Sequence, residues 1–291
     1  MGSYLEPEED GLPVRDSGEW VIEKLDYLER YISVFSSSMH KRQWRGIHYI
    51  DLFAGPGKCR ARDTKTIHLG SPLLALRAPH PFTRYFFVDM DAPSVSALQT
   101  RCSTSPLQDR VACHLGDSNK VVHEIVRQIR EIDEPYIAGK WHSLNLAFLD
   151  PEGLELQWAT VESLSRVKYI DLIIHYPQMG LTREMPNAMA RGEPTAVDEF
   201  FGDRGWGIIY GEPHKRGLQR RLLDYYEGKL HKLGYVEIRT YEPLMRNVKR
   251  KAPLYRLLFA SRNPLGAEFW EKVTSRDVYG QRRLLEPPSR Y

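Results

Sequence analysis

The sequence predicts an α/β fold: a mostly parallel sheet of about seven strands with helices on both faces. Short apolar runs alternate with segments whose apolar residues recur at helical spacing, which is typical of strands joined by crossover helices. One strand-like run over residues 46–51 leads into a turn with two glycines. In a doubly wound sheet, such a turn is where a nucleotide-like cofactor binds.

Length, charge and cysteine content limit the function. The 291 residues suffice for one large α/β domain, and a net charge of +3 does not describe a strongly basic nucleic-acid-binding chain. No apolar run approaches the roughly 20 residues of a membrane span, and the N-terminus lacks a signal-peptide pattern, so we expect a cytoplasmic protein. Cys59, Cys102 and Cys113 lack C-x-x-C spacing, which argues against disulfides and a metal site.

Composition divides the chain into segments. Residues 1–16, acidic and containing Pro and Gly, predict a flexible arm, and 17–45 predict an N-terminal helical addition. Residues 46–262 hold the alternating strands and helices. Within them, the long polar stretch 177–196 predicts either a substrate lid loop or a mobile connector. Residues 263–291 predict a C-terminal helix and tail.

The turn after the first long strand contains the main candidate cofactor-binding residues. Asp51 ends the strand, and Phe53, Gly55 and Gly57 follow in the turn. Glycine permits a positive φ and lets a ligand approach the backbone closely. We interpret this turn as a cofactor site; the alternative is a tight turn without a ligand.

Acidic residues follow the next two predicted strands. Asp89 ends the strand at 84–88, and its two carboxylate oxygens could accept hydrogen bonds from both ribose hydroxyls. Asp117 follows the strand at 110–115. Both residues could instead lie at the start of a helix, where acidic side chains are common.

The fourth predicted strand, at 144–149, ends in Asp150-Pro151-Glu152-Gly153. Ligands bind outside the carboxyl ends of strands in open α/β sheets, so this tetrad is expected to face the reactive part of the cofactor. The alternative is that Pro and Gly simply make a turn there.

Two later regions are candidate substrate contacts. Arg183, in the 177–196 stretch, could hold an anionic substrate. Predicted strands at 235–241 and 254–261 form a closing hairpin, and the basic run between them, 246–251, includes Lys249 and Arg250. This run would suit phosphates, although such runs are usually solvated loops.

Several motifs occur together in a characteristic order: Asp51-Leu52-Phe53-Ala54-Gly55-Pro56-Gly57, Gly70-Ser71-Pro72-Leu73, Phe87-Val88-Asp89, Gly116-Asp117, Phe148-Leu149-Asp150-Pro151 with Gly153-Leu154, Trp158, Phe200-Phe201-Gly202 and Trp206. Taken together, these motifs resemble the three-Cys-motif partner (TcmP) family over roughly residues 17–262, and members of that family look like class I S-adenosylmethionine (SAM)-dependent methyltransferases.

The resemblance implies a Rossmann-like class I methyltransferase fold and a SAM site. The implied cofactor-binding residues are Asp51, Phe53, Gly55, Gly57, Asp89, Asp117 at the adenine amino group, and Asp150 at the reacting end. Asp150 is expected to orient the acceptor and Glu152 to take its proton.

One departure bears on the substrate. Methyltransferases acting on base amines often carry Asp-Pro-Pro-Tyr, and here Glu152-Gly153 replaces Pro-Tyr, which argues against base methylation. The leading function is SAM-dependent methyl transfer, with nucleic acid ranked first as substrate. The alternative is a SAM-binding or degenerate subunit that assists a partner protein, such as the companion carrying a three-Cys motif.

Overall fold

The computed structural model describes residues 4–135, 137–238, 242–246, 252–277 and 280–281. Its strands in chain order are β1 Arg15–Ser17, β2 Ile47–Asp51, β3 Lys58–Ala61, β4 Ile67–Leu69, β5 Arg84–Asp89, β6 Val111–Leu115, β7 Leu144–Leu149, β8 Tyr169–Tyr176, β9 Leu244–Arg246 and β10 Pro253–Ala260.

The helices surround these strands. In chain order they are α1 Trp20–Met39, α2 Ser71–Leu76, α3 Ala92–Cys102, α4 Ser118–Asp133, α5 Trp158–Ser165, α6 Gln178–Ala190, α7 Ala196–Phe201, α8 Gly205–Gly211, α9 Leu218–Lys232 and α10 Pro264–Thr274, with one 3₁₀ turn at Gln108–Arg110.

The main sheet has seven strands in the order β6-β5-β2-β7-β8-β10-β9. The first five in this order pair in parallel, whereas β10 is antiparallel to both β8 and β9. Every residue of β7 is buried, as expected for a central strand covered on both faces. This order and these directions are those of the Rossmann-like class I methyltransferase fold, so the predicted fold class is confirmed.

Helices cover both faces of this sheet. On one face, α1 packs through Tyr31, whose ring centroid lies 5.1 Å from that of Phe259 and 5.8 Å from that of Trp270. On the other face, α4 buries Val122 and Ile125 in a separate core with α5 and α7 to α9. The N-terminal helix α1 therefore belongs to one of the two layers that enclose the sheet.

The N-terminal segment is not the loose arm that its composition predicts. We call residues 4–17 the N-terminal strap. Its strand β1 pairs in parallel with β3, which pairs in turn with β4, so the strap joins a three-stranded sheet. The Asp10 side chain is 0% exposed and pairs with Lys58 (2.8 Å) and Arg101 (2.7 Å), whose side chains are 0% exposed as well.

These two cations explain why Asp10 is buried in the ionised form. Burial opposes ionisation of the carboxyl, but hydrogen bonds from Arg101 and Lys58 hold the pKa of Asp10 well below its usual range. The strap is thus anchored to α3 and β3 by a buried ionic cluster, which its acidic composition alone did not reveal.

The stretch 177–196, predicted as a loop, is largely helical. It forms α6, which buries Leu181, Met185 and Ala188 at helical spacing although it contains Pro186. A capping box between Thr195 and Asp198 then begins α7. Most polar residues of α6 are exposed, and because they are numerous, the short apolar face of the helix was not apparent in the sequence. A lid function for this region stays a prediction.

The predicted strand at 235–241 is also wrong in its described part. Glu237 forms only an isolated bridge to Ser261, and the partner of β10 is β9, farther along the chain. Residues 239–241 lie outside the described part of the chain. None of the described helices is long and apolar enough to cross a membrane. Within the described residues, no three His, Cys, Asp or Glu side chains come together to hold a metal ion.

Candidate cofactor site and reacting end

The turn of residues 52–57, which we call the glycine turn, follows β2 and lies against the carboxyl end of β5. Gly55 has φ +61° and Gly57 has φ +90°, conformations that favour glycine. The Gly55 N–H donates to Asp89 Oδ2 at 2.7 Å. A Cβ on Gly57 would lie 2.9 Å from Leu98 Cδ1, so this position also lacks room for a side chain.

Asp51 lies beneath this turn. It is 0% exposed, and its Oδ1 accepts a hydrogen bond from the Phe53 N–H at 3.3 Å. Burial raises the pKa of the Asp51 carboxyl to about 7. The structure therefore places Asp51 as a support for the turn, with Phe53 half-buried beside it. Direct binding of a cofactor by either residue stays a prediction.

Asp89 lies beside the glycine turn, and 7% of the residue is exposed. Its Oδ1 accepts from the Asp91 N–H at 2.9 Å, and its Oδ2 accepts from Gly55. Arg15 Nη2, from the strap, lies 3.3 Å from the same Oδ2. The side chain that begins α3 is Asp91, which accepts from the Ser94 N–H at 3.0 Å. Asp89 is thus turned towards the glycine turn.

Asp117 caps α4. Its Oδ1 accepts from the Asn119 N–H at 2.9 Å, so the capping alternative is confirmed. Large apolar side chains are exposed next to the two acidic positions: Met90, which follows Asp89, is 72% exposed, and Leu115 at the end of β6 is 57% exposed.

Asp150, at the end of β7, is held by two basic side chains. Its Oδ2 accepts a hydrogen bond from Lys24 Nζ of α1, and its Oδ1 lies 3.0 Å from His175 Nδ1 of β8. Burial opposes ionisation of the carboxyl, but the charges and hydrogen bonds of Lys24 and His175 hold the pKa of Asp150 well below its usual range. Both oxygens of Asp150 are therefore already engaged.

An aromatic side chain closes this cluster. The Tyr255 ring of β10 lies 4.1 Å from the His175 ring, and Lys24 Nζ lies 5.7 Å from the Tyr255 centroid. The buried Tyr255 hydroxyl has no hydrogen-bond partner in the described part of the chain. The helix α1, β7, β8 and β10 each contribute one side chain, so this cluster is assembled from distant parts of the sequence.

Glu152 differs from Asp150 in its exposure and in its basic partner. Its side chain is 72% exposed, and Oε1 lies 3.3 Å from Arg15 Nε. The assignment of Glu152 as proton acceptor stays a prediction.

Within the described part of the chain, the predicted substrate residue Arg183 makes no contact with this site. Arg183 is 74% exposed on α6 and pairs with the adjacent Glu184 at 2.9 Å. Lys249 and Arg250 lie outside the described residues.

Four residues of the site were missed in the sequence: Arg15, Lys24, His175 and Tyr255. The position of His175 contained a signal, because it lies near the carboxyl end of the strand next to β7. Lys24 and Arg15 come from segments before the first strand of the main sheet, and no local pattern indicates that they fold over its edge.

The similarities found by comparison with known proteins are distant. The sequence matches no family model and no curated protein. A structure from Legionella pneumophila aligns at 10% identity and TM-score 0.48 over 89% of this chain and 92% of its own.

Two further structures were solved with ligands. The O-methyltransferase from Bacillus cereus in complex with SAH aligns at 11% identity and TM-score 0.43, over 86% of this chain and 84% of its own. P. horikoshii TYW2 in complex with MeSAdo aligns at 12% identity and TM-score 0.40, over 88% and 70%.

Proposed function

We propose that this protein binds SAM and transfers its methyl group to an acceptor. The observation that carries the proposal is the hydrogen bond from the Gly55 N–H to Asp89 (2.7 Å). It brings a turn with two glycines and an acidic strand end together at the carboxyl edge of a doubly wound sheet. Ligands bind at this edge in such folds.

The residues around the turn fit the parts of this cofactor. Asp89 offers a carboxylate for the ribose hydroxyls, and the exposed Met90 and Leu115 offer apolar contacts for adenine. Asp117, which caps α4, could still accept from the adenine amino group through its remaining lone pairs. The Arg15 side chain lies on the turn, so it must move for a ligand to occupy the whole site.

Bound SAM would supply a methyl group on a positively charged sulfur. The contribution of the chain would be to position the acceptor beside that group. Because Lys24 and His175 engage both oxygens of Asp150, we propose that Asp150 orients His175 and that the imidazole faces the acceptor. Glu152 could accept a proton only from the solvent side.

Nucleic acid is the acceptor class that we rank first. Its support is the basic run at 246–251, of which only Arg246 belongs to the described residues. A companion protein with a three-Cys motif is proposed from the family resemblance alone. Both proposals concern what the site acts on, and neither alters the cofactor assignment.

The test of cofactor binding is calorimetric titration of the purified chain with SAM and S-adenosylhomocysteine (SAH). We expect micromolar binding of both, and about tenfold weaker binding by Asp89→Ala, equivalent to about 1.4 kcal/mol. Asp91→Ala is the matched control, because this neighbouring carboxylate caps α3 and does not contact Gly55. Equal affinities of the Asp89→Ala variant and the wild type would reject the ribose assignment.

A second candidate function is a SAM-binding or degenerate subunit that assists a partner protein. The position of Arg15 on the glycine turn favours it, because a guanidinium there competes with a ligand. If neither SAM nor SAH binds the purified chain, this candidate replaces the first. Co-purification with a partner that restores SAH binding would then support it.

A further inference from the structure

Arg15 lies in the middle of the candidate cofactor site. A Cβ built on Gly55 would be 3.2 Å from Arg15 Cζ, so the guanidinium rests directly on the glycine turn. Its Nη2 is 3.3 Å from Asp89 Oδ2 and its Nε is 3.3 Å from Glu152 Oε1. One side chain of the strap thus spans the carboxyl ends of β5 and β7 across the turn.

The backbone of Arg15 is fixed close to the turn. Arg15 pairs with Cys59 in the β1–β3 register. Arg101 donates to the carbonyl oxygens of Pro13, in the strap, and of Pro56, in the glycine turn. The Arg101 guanidinium therefore holds the strap and the glycine turn against each other. The Arg15 side chain itself is 30% exposed, so its end has room to exchange partners while the backbone stays in place.

The present contacts of Arg15 leave much of its donor capacity unused. A charge-assisted N–H···O bond is usually about 2.7–2.9 Å long, and both ion pairs of Arg15 are longer, at 3.3 Å. A guanidinium has about five N–H donors in a planar fork. Within the described residues, only Nε and Nη2 face a carboxylate. A ligand carboxylate could engage such a fork through two bonds.

Arg15 also competes with any diol at Asp89. A carboxylate has about four lone-pair sites. One on Oδ1 is taken by the Asp91 N–H, one on Oδ2 by the Gly55 N–H, and Arg15 approaches the other on Oδ2. A ribose diol that uses both oxygens therefore requires Arg15 to leave Asp89.

We propose that Arg15 is the carboxylate-binding residue of the cofactor site, and that it exchanges its ion pair with Asp89 for the amino acid carboxylate of SAM or SAH. This inference rests on the proposed function. It gives the strap a role in ligand specificity. Adenosyl ligands that carry an amino acid bind with the Arg15 contact, and those that lack it bind without this contact.

The experiment is calorimetric titration of the wild type and of Arg15→Gln with two probes. SAH carries the carboxylate, and 5′-methylthioadenosine lacks the whole amino acid part. We expect Arg15→Gln to weaken SAH binding by about tenfold to a hundredfold. Binding of 5′-methylthioadenosine should change by less than about threefold, or become tighter, because Asp89 loses its competitor.

Arg60→Gln is the matched control. Arg60 lies on β3, its side chain is 32% exposed, and it pairs with Glu9 and Asp16 of the strap rather than with Asp89. Both affinities should stay within about twofold of the wild type in this variant. Arg15→Lys keeps the charge but not the planar fork, so it should lose part of the SAH affinity. Thermal unfolding of each variant identifies any that fail to fold.

The outcomes separate the two proposals. Binding of neither probe by the wild type rejects the proposed function, and the inference fails with it. Binding of both probes, with equal losses for both or tighter SAH binding in Arg15→Gln, leaves the cofactor assignment intact but rejects Arg15 as its carboxylate partner. A loss confined to SAH supports the inference.

Discussion

The two halves of the candidate site are built in different ways. In the cofactor half, at the ends of β2 and β5, carboxylates bond to nearby backbone amides, as Asp51 does to Phe53 and Asp89 to Gly55. In the reacting half, at the ends of β7 and β8, side chains from separate elements hold Asp150. The first half is formed by backbone amides of the turn and of the strand ends, and the second by side chains from separate elements.

This difference has an electrostatic consequence. Asp51 is fully buried, no ion pair joins it to a cation among the described residues, and burial raises its pKa to about 7. Asp150 is largely enclosed, with 13% of its side chain exposed, but Lys24 and His175 hold its pKa below the usual range. Two carboxyls on adjacent strands therefore respond to pH in opposite directions, and the predictions below use this contrast.

The largest effect is expected where the strap is anchored over the cofactor half. Asp10→Ala leaves the fully buried cations of Lys58 and Arg101 without their shared carboxylate. Removing one partner of a buried ion pair costs about 3–5 kcal/mol, and we expect a loss of that order in the free energy of unfolding. Urea titration measures it.

Glu9→Ala is the control for Asp10→Ala. Glu9 is the preceding residue, and its side chain is 73% exposed in a surface pair with Arg60. We expect a change below about 1 kcal/mol. Similar losses for both variants would contradict a buried anchor and would mean that the strap is held by its backbone alone.

Lys24→Met tests the reacting half. The variant removes a cation from Asp150 but keeps most of the aliphatic stem against Tyr255. His175 remains, and both partners are 13% exposed, so we expect a loss of about 2–3 kcal/mol, less than for a fully buried pair.

The pH dependence of Lys24→Met gives a second measurement. A lowered pKa in the folded state stabilises the protein above the unfolded value of 3.8, and this contribution is lost as pH falls through the folded pKa. Without Lys24, the pKa of Asp150 should rise, and acid unfolding should begin at a higher pH. An unchanged acid midpoint would show that Lys24 does not stabilise the carboxylate.

Asp51→Asn should show the opposite pH response. Because the folded pKa of Asp51 is raised to about 7, its contribution to stability is complete below pH 3.8 and is lost as pH rises towards 7. Asparagine keeps an acceptor for the Phe53 N–H and does not ionise. The stability of Asp51→Asn relative to the wild type should therefore increase by about 3 kcal/mol between pH 4.5 and 7.5. A constant difference would reject the buried-acid interpretation.

The sequence predicted the cofactor half better than the reacting half, for the same physical reason. The turn at Gly55 and Gly57 and the acid Asp89 depend on strand ends and local backbone geometry, which short motifs specify. In the closing hairpin, β10 was predicted, but its partner strand was predicted at the wrong residues. The partner, β9, has only three residues and lacks a long apolar pattern.

The contacts of Arg15 and Lys24 could not be predicted in this way. They meet Asp89 and Asp150 across 74 and 126 residues of sequence, and each belongs to an element whose local pattern indicates only packing. The strap was predicted as a flexible arm because an acidic residue such as Asp10 looks the same in sequence whether it is buried or solvated. Only its partners Lys58 and Arg101 show that it is buried.

The smallest effect is expected for Glu152→Gln, which compares the two acids of the Asp-Pro-Glu-Gly tetrad. The Glu152 side chain is 72% exposed and meets Arg15 at 3.3 Å, so its ion pair is screened by solvent. We expect a change below about 0.5 kcal/mol in the free energy of unfolding, and SAH affinity within about threefold of the wild type. Asp150→Asn, by contrast, removes a charge from between two basic groups and should cost several times more. If Glu152→Gln proved as destabilising as Asp150→Asn, both acids would belong to one buried cluster, and the distinction between the exposed and the buried side of the reacting half would not hold.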